Sequence, residues 1–365
     1  MRKLTKKEKN IIQYIFLAFL IILTGYIVST TIEIDRIPDV INFVDKKFII
    51  LGMLMVVMYI LIETVVFQMI INSVEKNKRK KTIGLQMGTV GLYYNLVTPF
   101  ASGSQPMQIY LMNRYGINLS KAVAIVTNKT VLFQSVVTVM CGLALIFNKE
   151  LIHLRHGSIK TLLIMGMTMN LVSIIGGLLI VLNPSFMKKL SDVIINFLGR
   201  FRLFRFLRGK NDRAHHYIND FNKSILMYIT DKKSLFITLV LTVLQLSVYF
   251  SISFFIYKAS RLSGVGFIDI FVHQIILYMT VSPIPTPGNV GANELTFFSI
   301  FNGIFPRKYV GYAVIMYSFL VYYMILILSG ICTFISHYYI GRMSLNKEGS
   351  DIKQGSKKET NKDGK

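Results

Sequence analysis

Three windows of this chain, Ile11 to Ile32, Thr161 to Phe186 and Ser234 to Tyr257, contain no Asp, Glu, Lys or Arg. Each matches the roughly 20 residues that a helix needs to cross a bilayer core. In hydrocarbon the backbone has to satisfy its own N–H and C=O groups, so such windows fold as helices. An all-α polytopic membrane protein follows. The first window trails basic residues as a signal sequence does, but it is long for one, lacks a small-residue cleavage site and precedes further spans. It reads as a retained helix. Cys141 and Cys332 both fall in apolar windows without a CxxC spacing, so they are expected to be buried thiols rather than a disulfide or a zinc site.

The formal net charge of +23 does not point to nucleic acid, because the basic residues lie between apolar spans and not on one soluble face. Of the 41 Lys and Arg, thirty fall in Met1 to Asn10, Ser73 to Ile83, Asn113 to Lys121, Ser185 to Lys233 and the stretch after Gly341. The positive-inside rule puts those segments, and with them both termini, in the cytoplasm of a cell that carries the chain in its cytoplasmic membrane.

That assignment constrains two polar-interrupted apolar regions, Gly84 to Met112 and Phe267 to Gly303. Each lies between loops on the same side, so each has to enter and leave the membrane on one face. "NLVTPFASGSQPMQ" and "PIPTPGNVGANEL" supply the breaks, with prolines removing donors and glycines permitting turns. Six full spans plus two re-entrant helical hairpins result, or up to eight transmembrane helices if the hairpin arms cross further. Thr98 to Pro106 aligns with Thr286 to Glu294: the Thr-Pro pairs coincide, as do Gly103 and Gly291, and Gln105 faces Asn293. Each hairpin is preceded and followed by a span, and the charge rule gives the two units opposite orientations. This is the plan of an inverted-repeat transporter, whose broken helices meet near the midplane.

"TPFASGSQPMQIYLM", "TNKTVLFQSVV" and "PIPTPGNVGANEL" resemble the three signatures of the flippase-like family named after the transmembrane region of lysylphosphatidylglycerol synthase (phosphatidylglycerol lysyltransferase). The resemblance runs over nearly all of Lys9 to Arg342. It implies a multispan inner-membrane protein handling lipid, and links the chain to lysyl-phosphatidylglycerol and to antibiotic resistance of the cationic-peptide kind. The full-length synthase carries a cytoplasmic aminoacyl-transferase domain after its membrane region, for which the 365 residues leave no room. The chain is therefore not expected to be an enzyme by itself, and a separate synthase or a second copy is an expected partner. Asn128-Lys129 stands where an acidic–arginine pair is common, and Asn289 where a glycine is common; these departures bear on the lipid.

Embedded charge marks the candidate site, since an ionised side chain at mid-bilayer costs about 2.5–3.5 kcal/mol even on insertion scales. Lys129, Glu294 and Glu63 are such residues. Lys129 is expected either to pair structurally with one of the two carboxylates or to serve translocation. Glu294 is the stronger functional acid because it follows a Gly-rich turn and opens the returning arm, and Lys129 and Glu294 are expected to share one polar site. The turns around Ser102, Gly103, Gln105 and Pro106, and around Pro285, Pro287, Gly288, Asn289 and Gly291, are expected to cradle a phosphate with backbone N–H groups, or else merely to shape the hairpins. Asn128 completes the set.

No metal and no cofactor are expected. His153, His156, His215, His216, His273 and His337 show no convincing zinc spacing. Phosphate-loop, dinucleotide and nucleophile-elbow motifs are missing from the sequence. The basic N-terminus 1–10, the membrane domain 11–341 and a disordered polar tail 342–365 make up the chain. Within its cytoplasmic segment 185–233, Arg202, Arg205 and Arg208 recur opposite Leu203, Phe204, Phe206 and Leu207, the pattern of an interfacial helix on anionic headgroups.

Three function classes remain: a translocase for a phospholipid (anionic or aminoacylated) or an isoprenoid-linked lipid, a lysyltransferase or its subunit, and a small-solute transporter. The first is preferred. Its topology is testable with single cysteines in a background lacking Cys141 and Cys332. Cysteines at Ser158 and Ser263 should react with an impermeant thiol reagent from outside, and those at Lys210 and Ser350 should not. Labelling at Lys210 from outside overturns the charge-based orientation.

Overall fold

The computed structural model describes residues 39, 42–75, 82–148, 157–201 and 209–338. The first expected span, the Arg202 to Arg208 stretch and the polar tail lie outside the described residues. The rest is helical. In chain order the elements are α1 (Lys46–Val74), α2 (Ile83–Val97), α3 (Ser104–Arg114), α4 (Leu119–Phe147), α5 (Gly157–Leu182), α6 (Pro184–Leu198), α7 (Asn211–Thr230), α8 (Lys232–Ala259), α9 (Phe267–Val281) and α10 (Ala292–Phe301). Last comes α11 (Arg307–Tyr338).

Five helices, α1, α4, α5, α8 and α11, are long and apolar enough to cross a membrane, and they coincide with the five expected spans that fall in the described residues. At 1.5 Å per residue the 29 residues of α1 reach about 44 Å. Their ends are set locally: Asp45 accepts from Lys47 N at 3.0 Å at the start of α1, and Asp231 accepts from Ser234 N at 3.1 Å at the start of α8.

The two interrupted regions fold as hairpins of half-helices. The arms α2, α3, α9 and α10 have 15, 11, 15 and 10 residues, so none spans the ~30 Å core alone. Glycines draw the first hairpin against its neighbours. A Cβ at Gly84 or Gly88 would fall 2.7 Å from the Thr64 carbonyl oxygen and 3.1 Å from Thr64 Cα of α1, respectively, and one at Gly91 would meet Gln108 of α3. Small residues let helix backbones approach closely where lipid supplies no hydrophobic drive.

α1–α2–α3–α4 and α8–α9–α10–α11 are two copies of one plan. In each, the first span packs on the first arm, the arms pack on each other, the second arm packs on the last span, and the last span touches the first. The arms after the turn start at Ser104 and Ala292, and the last spans at Leu119 and Arg307, a constant separation of 188 residues. The copies run in opposite directions. Asp45 N donates to the Ala259 carbonyl at 2.9 Å, Gly52 faces Phe255, Tyr59 meets Tyr249, and Glu63 meets Gln245, so α1 and α8 are antiparallel along their length. This is an inverted repeat.

Between the copies, α5 leads across Asn183 into α6, whose Pro184 opens the helix while Asn183 accepts from Phe186 N. No residue of α6 is buried, and Phe186, Leu190, Val193, Ile194 and Phe197 are exposed. On its other side Asp192 meets His215 of α7 at 2.9 Å.

Candidate functional site

The two hairpin tips meet each other. Thr98-Pro99-Phe100-Ala101 and Thr286-Pro287-Gly288-Asn289 have the same backbone. Thr98 and Thr286 are extended (φ −118° and −100°), Phe100 and Gly288 are left-handed at (53°, 21°) and (58°, 17°), and Ala101 and Asn289 follow at φ 53° and 56°. Each stretch closes two overlapping i→i+3 turns, with Ala101 N donating to Thr98 O and Ser102 N to Pro99 O, then Asn289 N to Thr286 O and Val290 N to Pro287 O. The Thr-Pro correspondence in the sequence is therefore a correspondence of structure. Only Gly288 suits its left-handed position; Phe100, Ala101 and Asn289 carry strain of about 1 kcal/mol or more each.

Gly288 is also where the tips interlock. A Cβ there would lie 2.2 Å from Tyr322 Cε2 and 2.9 Å from the Leu96 carbonyl oxygen. Tyr322 belongs to a π-helical stretch of α11, Phe319–Met324, a departure from regular helix that often marks functional positions.

Beside the tips lies a cavity of about 480 Å³, walled by α1, α2, α3, α4, α5, α8, α9, α10, α11 and both turns. Among the described residues lining it, Lys129 and Glu63 are the only charged ones. Lys129 Nζ of α4 sits 2.6 Å from Glu63 Oε1 of α1, and Gln245 Nε2 of α8 donates to Glu63 Oε2 at 2.7 Å. Both carboxylate oxygens are thus held. Glu63 is 2 % exposed, and the ammonium also lies 4.7 Å from the Phe133 ring centroid and 5.6 Å from that of Phe67. Breaking such a buried pair by removing one partner costs about 3–5 kcal/mol.

Glu294 does something else. Its Oε2 accepts from Gly291 N at 2.7 Å and its Oε1 from Ser318 Oγ at 2.7 Å, which caps α10 by the acidic half of a capping box and ties it to α11. It does not line the cavity. The expectation that Lys129 and Glu294 share one polar site is therefore not met by the geometry: Lys129 pairs with Glu63. By the constant separation of 188 residues the counterpart of Lys129 is Tyr317, not Glu294, so the repeat replaces an ammonium by a phenol.

Of the other expected site residues, Gln105, Gly288 and Asn289 line the cavity, and Gln105 Nε2 donates to Thr130 Oγ1 at 3.2 Å. Ser102, Gly103, Pro287 and Gly291 shape the turns, Pro106 sits in the first turn of α3, and Pro285 precedes the second tip. Asn128 is buried off the cavity, its Nδ2 without a partner. Six of the turn N–H groups are already engaged: Gly103 N reaches Thr98 Oγ1 and Gly291 N reaches Glu294, besides the four turn bonds above. A phosphate in the cavity would meet Lys129 and side-chain amides instead.

Composition alone did not single out three wall residues. Tyr59 of α1, Tyr249 of α8 and Tyr278 of α9 form an aromatic cluster, with ring centroids 5.0 Å apart for Tyr59 and Tyr249 and 5.9 Å for Tyr249 and Tyr278. Gln134 Oε1 and Thr286 Oγ1, both buried, have no partner, and both residues line the cavity. The signal that could have found the tyrosines is their spacing: Tyr59 lies one turn before Glu63 on the same helix face. Among the described residues no group of three metal-ligating side chains occurs.

A comparison with curated proteins returns no match. A comparison with protein families matches residues 10–329 to the lysylphosphatidylglycerol synthase TM region. That match covers the first copy of the repeat, the second as far as residue 329 in α11, both tips and the Lys129–Glu63 pair, and the chain belongs to this family of lipid-related membrane proteins.

Proposed function

We propose that the chain is a lipid translocase of the cytoplasmic membrane, which passes the headgroup of a membrane phospholipid through the cavity beside the hairpin tips. One observation carries the reading: a buried but neutralised ion pair, Lys129–Glu63, stands on the wall of a cavity where two oppositely oriented broken hairpins meet. An ion pair in hydrocarbon that only held helices together would be replaceable by apolar packing; here it borders open space beside unpartnered polar atoms. Broken helices meeting at the midplane are where inverted-repeat transporters place their sites. Both termini are assigned to the cytoplasm by the charge rule.

The test uses the purified full chain in phosphatidylglycerol/phosphatidylethanolamine vesicles holding tail-labelled lipids. Label accessibility on the outer face should rise at least tenfold faster than in protein-free vesicles. No acceleration for any lipid overturns the translocase reading. Transfer of lysine from lysyl-tRNA to phosphatidylglycerol by this chain alone would favour the enzyme reading instead.

A further inference from the structure

The charge on the cavity wall narrows the cargo. Lys129 and Glu63 supply one positive and one negative group among the described lining residues, and the two are paired with each other. A headgroup that enters has to interact with this pair or leave it shut. An anionic phosphate alone would draw Lys129 away and strand the Glu63 carboxylate, which is buried and would then need a proton. A headgroup with surplus positive charge would place two or more cations beside a single carboxylate. Only a headgroup carrying one of each sign exchanges both partners and leaves no charge unmatched.

We propose that the cavity accepts a net-neutral headgroup of the phosphoethanolamine type, its phosphate replacing Glu63 at Lys129 Nζ and its ammonium replacing Lys129 at Glu63 Oε1. This rests on the translocase reading and names its substrate class. Beyond the pair itself, the wall has groups suited to an ammonium. Tyr59, one turn before Glu63 on α1, joins Tyr249 and Tyr278 in an aromatic cluster on the cavity wall, suited to an ammonium. Gln134 Oε1 and Thr286 Oγ1, both unpartnered, are further acceptors on the same cavity wall. The Thr286 hydroxyl is specific to this cavity: its repeat counterpart, the Thr98 hydroxyl, is spent on Tyr94 O and Gly103 N. The ion pair is then a placeholder for the ligand's own two charges.

Tail-labelled phosphatidylethanolamine, phosphatidylglycerol and lysyl-phosphatidylglycerol are compared in the same vesicles, with and without a pH gradient. The expected result is that phosphatidylethanolamine moves at least tenfold faster than either of the others, and that the gradient leaves its rate unchanged. Faster phosphatidylglycerol movement that depends on the gradient, or faster lysyl-phosphatidylglycerol movement, overturns the neutral-headgroup proposal and keeps the translocase. If no lipid moves, the translocase reading fails, and binding decides the cavity's preference separately. Dihexanoyl-phosphatidylethanolamine should raise the melting temperature of the detergent-solubilised chain by several degrees more than dihexanoyl-phosphatidylglycerol. The Lys129→Met/Glu63→Gln variant, which keeps the cavity neutral, should lose that difference. Equal shifts for the two lipids on the wild-type chain overturn the proposal whether or not the variant folds.

Discussion

Lys129→Met should destabilise the protein by about 3–5 kcal/mol, because it leaves the Glu63 carboxylate buried with only Gln245 beside it. Adding Glu63→Gln removes the stranded charge and should recover most of that loss, since the ammonium and the carboxylate are a unit. Glu294→Gln should behave differently. Its partners are Gly291 N and Ser318 Oγ, so its cost should add to that of Lys129→Met within about 0.5 kcal/mol. Unfolding midpoints of the three single variants, Lys129→Met, Glu63→Gln and Glu294→Gln, and of the two doubles in one detergent measure both couplings. A Lys129→Met/Glu63→Gln variant no more stable than Lys129→Met would show that the pair is not closed in the membrane protein.

Gly288→Ala should be the second severe change, for two independent reasons. The backbone is at φ +58°, and the new methyl would lie 2.2 Å from the Tyr322 ring. The left-handed conformation costs an L-residue about 1–2 kcal/mol and the overpacking about 1–3 kcal/mol. The two can be separated. Tyr322→Ala in the same chain removes the ring, so the double variant should regain the ring's share of the overpacking and retain the backbone part and the contact with the Leu96 carbonyl. A Gly288→Ala chain that melts with wild type would mean that the tips do not interlock as described.

The spans and hairpins were legible because their signals are one-dimensional: charge-free windows for α5 and α8, basic loops between them, and two Thr-Pro breaks in apolar surroundings. The equivalence of the tips was legible too, from the two prolines. What was not legible depends on which helices touch. Glu63 lies in an otherwise plain apolar helix and Glu294 after a conspicuous turn, so local context favoured Glu294; the antiparallel packing of α1 on α8, with α4 beside α1, brings Lys129 to Glu63 instead. Phe100 and Ala101 give no hint of left-handed backbone, a region their side chains disfavour, and only comparison with Gly288 and Asn289 reveals it. The phosphate cradle expected from the glycines depended on free N–H groups. Their use by Thr98 Oγ1 and Glu294 is a matter of side-chain reach.

The antiparallel arrangement of α1 and α8 has an electrostatic result. Each long helix carries a macrodipole equivalent to roughly half an elementary charge at either end. Because Asp45 N at the start of α1 bonds the Ala259 carbonyl at the end of α8, the positive pole of one abuts the negative pole of the other. The two dipoles oppose and largely cancel at a distance, and in low dielectric their side-by-side attraction is less weakened than in water. At mid-length, where Glu63 meets Gln245, neither helix end contributes much field. The potential felt by a charged group entering there is governed by nearby side chains, and a single substitution at residue 63 or 129 leaves one charge of the pair to set its sign.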